Sequence, residues 1–123
     1  MESKTQQKNP SFHENLKALV DEYASKVYQY TQSFPKEEIF GLTSQIRRAT
    51  LSVALNYIEG YARQRKAVFK NFVEIAYGSL KESGYLVSFS FRQGYLSEAQ
   101  RKELEILSER IGAMLWGIIS KLK

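Results

Sequence analysis

The sequence contains no cysteine, and its 123 residues include only two prolines and one histidine. Without cysteine, disulfide bonds, thiolate zinc sites and cysteine nucleophiles are excluded. No run of about 18 apolar residues occurs, so no membrane-spanning helix is predicted. The first residues are polar where a signal peptide would need an apolar stretch, and we therefore expect a soluble, cytoplasmic protein.

The composition is that of one globular domain, because 43% of the residues are hydrophobic, 13% are aromatic and 25% are charged. The 18 lysines and arginines exceed the 13 acidic residues, which gives a formal net charge of +5. Residues 1–60 hold seven basic and seven acidic residues, whereas residues 61–123 hold eleven and six. The positive excess therefore belongs to the second half of the chain.

Apolar residues recur at steps of three and four in four segments, which predicts four amphipathic helices. The segments are residues 12–34, which end before Pro35, residues 42–61, residues 69–91 and residues 97–122, where Ser97 and Gln100 have capping-box spacing. Short connections make successive helices antiparallel, so the predicted fold is all-α, an up-down-up-down antiparallel four-helix bundle. We expect residues 1–11 to form a flexible tail and residues 12–123 a single domain.

A polar stripe runs along the second predicted helix, beside its apolar surface. At steps of three and four it comprises Gln45, Arg48, Ser52, Asn56, Glu59 and Arg63. One interpretation is a hydrogen-bonding seam that fixes how this helix meets a neighbour. The other is a solvated face with ordinary i,i+4 pairs, which is the commoner arrangement for such spacing.

Small and aromatic residues on the later helices predict close contacts. The small residues of the third helix are Gly78, Ser79, Ser83 and Gly84. They favour the close approach of another backbone, the alternative being weak helix propensity without a packing role. The aromatic residues beyond the core stripes are Tyr77, Tyr85, Phe89, Phe91, Tyr95 and Trp116. Their number favours self-association, the alternative being tyrosines at the core rim with hydrated hydroxyls.

The densest basic segment joins the second and third helices, and residues 60–73 contain no acid. In an up-down-up-down bundle this connection shares one end with both termini. The basic residues expected there are Lys4, Lys8, Arg63, Arg65, Lys66, Lys70, Lys121 and Lys123, with Arg47 in support. We expect Arg63, Arg65 and Lys66 to contact RNA phosphates, and Tyr61 to offer a ring for an unpaired base. The alternative is that these charges serve helix dipoles and solubility.

Catalytic motifs are absent from the sequence, including phosphate-binding glycine loops, nucleophile elbows and His-Glu-x-x-His helices. A di-metal bundle needs two Glu-x-x-His motifs, whereas His13 has no acid three residues earlier and is expected to be solvated. Adjacent Glu37 and Glu38 would point about 100° apart on a helix, which suits a first helical turn better than acid/base catalysis. We therefore expect a non-catalytic protein without metal, cofactor or small-molecule substrate.

Two segments of the sequence carry a family resemblance, FPKEEIFGLTSQIRRATLSVALNYIEGYARQ and NFVEIAYGSLKESGYL. Their most specific positions are Phe34-Pro35, Glu38, Phe40-Gly41-Leu42, Gln45, Arg48-Ala49, Ser52, Asn56 and Glu59-Gly60, then Ile75-Ala76 and Gly78-Ser79-Leu80. Over about residues 12–122, the chain resembles the bacterial four-helix-bundle proteins encoded in intervening sequences of 23S ribosomal RNA genes.

The resemblance implies a bundle that assembles into a homo-oligomeric ring, a pentamer. It also implies that the stripe on the second helix is a structural or interface seam, formed by Gln45, Arg48, Ser52, Asn56 and Glu59. The family is similar to accessory proteins of diversity-generating retroelements, which form basic rings thought to engage reverse transcriptase and RNA. By analogy the expected partner is RNA or a ribonucleoprotein, and the alternative is a protein-protein scaffold without nucleic-acid affinity.

Two positions depart from the family pattern. Ala54 stands where the family commonly has proline, so a kink in the second helix is less expected. Tyr57 stands where the common residue is a smaller aliphatic one, which leaves the local interface and the ring size open.

Overall fold

A computed structural model describes residues 10–122, apart from the side chain of Pro10, and places four α-helices in this part of the chain. They are α1 (Pro10–Thr31), α2 (Leu42–Tyr61), α3 (Lys66–Arg92) and α4 (Glu98–Lys121), with a 3-10 turn at Lys36–Glu38 between α1 and α2. No strand occurs among these residues, so the all-α four-helix prediction is confirmed. The first helix begins at Pro10 and ends at Thr31, earlier at both ends than predicted, and residues 1–9 of the predicted tail lie outside the described part.

The helices pack as a four-cornered bundle. Each helix contacts the next one along the chain, and α4 closes the arrangement by contacting α1. Helices α2 and α4 therefore occupy diagonally opposite corners. The predicted apolar stripes supply the core, whose largest fully buried side chains are Leu16, Tyr23, Ile46, Tyr57, Phe69, Leu80, Leu104, Ile111 and Leu115. Helix α2 is continuous through Ala54.

The small residues of α3 do not share one role. Ser83 is buried, and its hydroxyl lies 2.7 Å from the Tyr23 hydroxyl, which satisfies a tyrosine in the core. A Cβ at Gly78 or Gly84 would meet nothing within 4 Å in the described structure. The close approach of helices occurs instead at Gly60, where a Cβ would lie 2.6 Å from Phe72 Cβ of α3. Packing within residues 10–122 therefore does not account for Gly78 and Gly84.

One end of the bundle contains the connections α1–α2 and α3–α4, and we call it the far end. Ser97 Oγ accepts a bond from the Gln100 amide at 3.1 Å and Gln100 Oε1 accepts one from the Ser97 amide at 2.9 Å, which confirms the capping box. Glu38 joins the two connections, because its carboxylate accepts bonds from the Leu42 amide at 3.1 Å and from the Tyr95 hydroxyl at 3.3 Å.

Candidate nucleic-acid interface

Five of the predicted basic residues lie at the opposite end of the bundle, where α1 begins, α2 ends, α3 begins and α4 ends. We call this group the basic end, and it comprises Arg63, Arg65, Lys66, Lys70 and Lys121. The antiparallel order of the helices brings them together, since only four residues separate α2 from α3 and α4 runs back along α3. Lys123 lies outside the described residues, as do Lys4 and Lys8.

Neighbouring acids partly neutralise two members of the basic end. Arg63 Nη2 lies 2.6 Å from Glu59 Oε2, and its guanidinium lies 5.2 Å from the centre of the Phe72 ring. Lys70 Nζ lies 3.8 Å from Glu74 Oε2. Both pairs span one helical turn and are exposed enough to exchange with solvent ions. Arg63 is therefore less available for phosphate than the sequence alone indicates.

The side chains of Arg65 and Lys66 are exposed and make no hydrogen bond or ion pair with other residues of the described chain. Arg65 is the N-cap residue of α3 and forms no side-chain cap, and the first turn of α3 contains no acid. This is the reverse of the usual preference, because the positive end of a helix dipole is stabilised by anions and disfavours cations. The start of α3 thus concentrates positive charge that nothing within the described chain offsets.

Arg47, predicted to support the basic end, lies elsewhere. It is in the second turn of α2, which places it about 21 Å along the helix from Tyr61 at 1.5 Å per residue. Its Nε donates to Thr31 Oγ1 at 2.8 Å, and its guanidinium lies 4.6 Å from the centre of the Tyr28 ring. Arg47 therefore links α2 to α1 near the far end and does not lie with the residues of the basic end that it was predicted to support.

An aromatic cluster joins the start of α1 to the end of α2. The His13 ring stacks on the Tyr61 ring with centroids 3.4 Å apart and 7° between planes, and its Nδ1 lies 2.8 Å from the Tyr57 hydroxyl. Phe69 meets Tyr61 edge-on at 6.2 Å. The Tyr61 ring thus already stacks on a ring of its own chain, so the prediction of an open base-stacking platform is not supported. His13 was also predicted to be solvated, and it is instead partly buried in this cluster.

The cluster shifts the proton affinities of its members. Burial and then the nearby Lys17 lower the pKa of His13, while burial raises the pKa of Tyr57. Both shifts favour the neutral forms. No periodicity could reveal this contact, because His13 and Tyr57 are 44 residues apart in sequence.

The polar stripe of α2 divides into two parts. Ser52 Oγ lies 2.7 Å from Ser79 Oγ of α3, and Asn56 Nδ2 donates to the Ser52 carbonyl oxygen at 2.9 Å, so these residues form a seam within the chain. Gln45 and Arg48 are exposed, and neither side chain makes a hydrogen bond or ion pair with other residues 10–122. They border a polar pocket together with Glu82 of α3. Both interpretations of the stripe thus apply, each to a different part.

Apolar side chains also reach the outer surface. Leu51, Leu55 and Ile58 of α2 point away from the core and are 39%, 63% and 48% exposed. Four of the six surplus aromatics, Tyr77, Phe89, Phe91 and Tyr95, pack partly against the core. Tyr85 and Trp116 are 61% and 50% exposed, as the prediction of aromatic residues outside the core requires.

Among residues 10–122, no group of three or more His, Asp or Glu side chains has the geometry to hold a metal ion. No helix in the same range is long and apolar enough to cross a bilayer. What the fold and its surfaces define is a small helical bundle with one basic end and apolar side chains on its flanks.

Comparison with known proteins gives this bundle a family. The model of the 23S rRNA-intervening sequence protein family matches residues 17–117, and the chain belongs to that family. A similar fold occurs in the crystal structure of a protein of unknown function from the S23 ribosomal protein family of Bacteroides thetaiotaomicron VPI-5482. It is 24% identical, with a TM-score of 0.81 over 89% of this chain and 98% of that one. Comparison with curated protein sequences found no match.

Proposed function

We propose that this protein is a non-catalytic, self-associating four-helix bundle that binds RNA, alone or in a ribonucleoprotein, through the phosphates that meet its basic end. The observation that carries the proposal is the start of α3, where Arg65 and Lys66 are exposed and unpaired within the described chain and no acid occupies the first helical turn. Lys121 adds a third charge from the end of α4.

The residues of the basic end suit phosphate recognition without base recognition. Lysine and arginine side chains neutralise phosphates and release counterions, which gives binding that depends on salt and tolerates many sequences. Tyr61 is engaged with His13, so base stacking is not part of the proposal. The family name refers to an intervening sequence of 23S rRNA, which is compatible with an RNA partner and does not identify one.

The test is a titration of the protein into labelled single-stranded RNA over a range of salt concentrations. The double variant Arg65→Ala/Lys66→Ala should weaken binding to all RNA sequences alike. The slope of log affinity against log salt should fall by about 0.7 for each phosphate that is no longer neutralised. Arg63→Ala should have a smaller effect, because Arg63 is already paired with Glu59.

A matched control removes two positive charges from the far end. Lys36→Ala/Lys102→Ala changes the net charge equally, and both lysines are exposed without ion pairs in the described chain. If this control weakens binding as much as Arg65→Ala/Lys66→Ala, net charge is responsible and the proposed site is wrong. If the unaltered protein does not bind RNA even at low salt, the RNA function itself is wrong.

A second candidate function rests on the apolar flanks. Leu55 of α2 and Trp116 of α4 are at least half exposed, which is typical of residues that enter protein interfaces. A protein-protein scaffold without nucleic-acid affinity would bind its partners through these flanks, and the basic end would bind no RNA. Light scattering gives the assembly mass, where a pentamer is the expectation from the family resemblance, and the RNA titration separates the two functions.

A further inference from the structure

The outer surfaces of α2 and α4 carry exposed apolar side chains and charged side chains that have no ion pair in the described chain. On α2 these are the apolar residues Leu51, Leu55 and Ile58 and the unpaired Arg48. On α4 they include Trp116, which is half exposed, and Glu109, which is exposed and has no ion pair with residues 10–122. Because α2 and α4 occupy opposite corners, the two surfaces face in opposite directions.

Contacts through α3 fix how far along the bundle these residues lie. Ser52 of α2 is level with Ser79 of α3, since their hydroxyls are 2.7 Å apart. One residue on, Leu80 is level with Gly112 of α4, where a Cβ would lie 3.3 Å from Leu80 Cδ2. Ser52 is therefore level with Gly112 to within about one residue, or about 1.5 Å.

Residues of complementary chemistry lie at distances from this level that agree to within one residue on α2 and α4, which run parallel. Leu55 is three residues after Ser52, and three residues after Gly112 is Leu115, which is one residue before Trp116. Arg48 is four residues before Ser52, and four residues before Gly112 is Ser108, which is one residue before Glu109. An apolar residue is thus level with an aromatic one, and a cation without an ion pair in the described chain is level with a carboxylate in the same condition.

These residues also lie on the same side of their helices. Arg48 borders the pocket that contains Glu82 of α3, and Glu109 borders one that contains Lys81 of α3. The Trp116 ring is 5.7 Å from the ring of Tyr77, also on α3. Two copies standing side by side with parallel axes would therefore present Arg48 and Glu109 on the same edge of their contact.

We propose that the outer face of α2 docks on the outer face of α4 of a second copy, head to tail, with Leu55 against Trp116 and Arg48 paired with Glu109. This inference deepens the self-association part of the proposed function and rests on it. The occupant is a second copy because one sequence supplies both complementary faces at the same level. Copies related by translation across the bundle axis, or by rotation about an axis parallel to the helices, keep these levels, as a head-to-tail repeat requires.

The first experiment measures mass by light scattering, with circular dichroism as the check on folding. Leu55→Arg and Trp116→Arg should each reduce the assembly to monomers, because each contact uses one face of each kind. An equimolar mixture of the two variants should form dimers, since each contributes the face that is blocked in the other. Ile75→Arg is the control, because Ile75 is 47% exposed on α3, outside both faces, and should leave the mass unchanged.

The second experiment exchanges charges and does not alter the apolar contact. Arg48→Glu and Glu109→Arg should each weaken assembly by about tenfold or more, because like charges then meet. The double variant Arg48→Glu/Glu109→Arg should restore assembly. Both side chains are exposed, so this pair remains a test if a variant at Leu55 or Trp116 fails to fold.

Three results would overturn the inference, and each excludes a different part of it. A monomeric unaltered protein would remove self-association and this contact together, while the RNA titration would still decide RNA binding. An oligomer that survives Leu55→Arg would exclude this pair of faces but not assembly. Two blocked variants that stay monomeric when mixed would exclude the head-to-tail arrangement.

Discussion

The two ends of the bundle differ in whether their charged side chains have partners within the described chain. At the far end, Glu38 caps the first amide of α2 and accepts a bond from Tyr95, while Arg101 pairs with Glu105 at 2.8 Å. At the basic end, Arg65 and Lys66 make no such contacts within residues 10–122, at a helix terminus that disfavours cations. Glu38 and Arg101 at the far end therefore stabilise the fold, whereas Arg65 and Lys66 at the basic end are available to a partner.

A substitution at Gly60 tests the close contact between α2 and α3 next to the basic end. Gly60 is buried at the close approach of α2 and α3, and a Cβ there would lie 2.6 Å from Phe72 Cβ and 3.3 Å from a Phe69 ring carbon. Gly60→Val should lower the free energy of unfolding by about 1–3 kcal/mol through overpacking, the largest effect expected on stability. Thermal unfolding followed by circular dichroism measures this change.

The matched control for Gly60 is another helical glycine. Gly78 is exposed and has open space around its missing Cβ, so Gly78→Ala should raise the free energy of unfolding by about 0.5–1 kcal/mol. Equal changes in the two variants would mean that helix propensity, and not the contact between α2 and α3, determines stability at Gly60.

A substitution at Glu38 tests how much the hydrogen bonds of its carboxylate stabilise the far end. Glu38→Ala removes the acceptor of the Leu42 amide and of the Tyr95 hydroxyl, and should cost about 1–2 kcal/mol in the free energy of unfolding. The side chain of neighbouring Glu37 is exposed and makes no hydrogen bond or ion pair within residues 10–122, so Glu37→Ala should stay within about 0.5 kcal/mol of the parent. Urea unfolding of the three proteins gives the comparison, and RNA affinity should not change in either variant.

Much of this architecture could be predicted from the sequence, because it depends on local patterns. The core stripes, the ends of α2 and the capping box at Ser97 follow from helical periodicity and turn chemistry. The stacking of His13 on Tyr61 and the contact of Arg47 with Thr31 did not follow, because they join different helices. Which charges are free depends on such contacts, so the candidate site was predicted less well than the fold.

Lys66 distinguishes a role in folding from a role in binding, because a substitution there should change stability and RNA affinity in opposite directions. Lys66→Glu places an anion in the first turn of α3 and four residues before Lys70. The free energy of unfolding should rise by about 0.3–1 kcal/mol, while RNA binding should weaken. Lys66→Gln, which only removes the cation, should show a smaller change of each kind. A fall in stability in Lys66→Glu would show that Lys66 has a structural role.

The smallest expected effect is a pH dependence of stability that arises from His13. His13 is the one histidine of the sequence, so a histidine titration reports on the basic end and not on the far end. Burial and Lys17 lower the pKa of His13 in the folded protein, so folding favours the neutral ring. Its contribution to stability is therefore fully present above about pH 6.5, the ordinary histidine pKa, and declines as pH falls below that value towards the lowered one. His13→Gln, which does not titrate, should lack this decline. The measurement is the difference in unfolding free energy between the two proteins as a function of pH. A difference that stays constant across that range would show that His13 has the same proton affinity folded and unfolded.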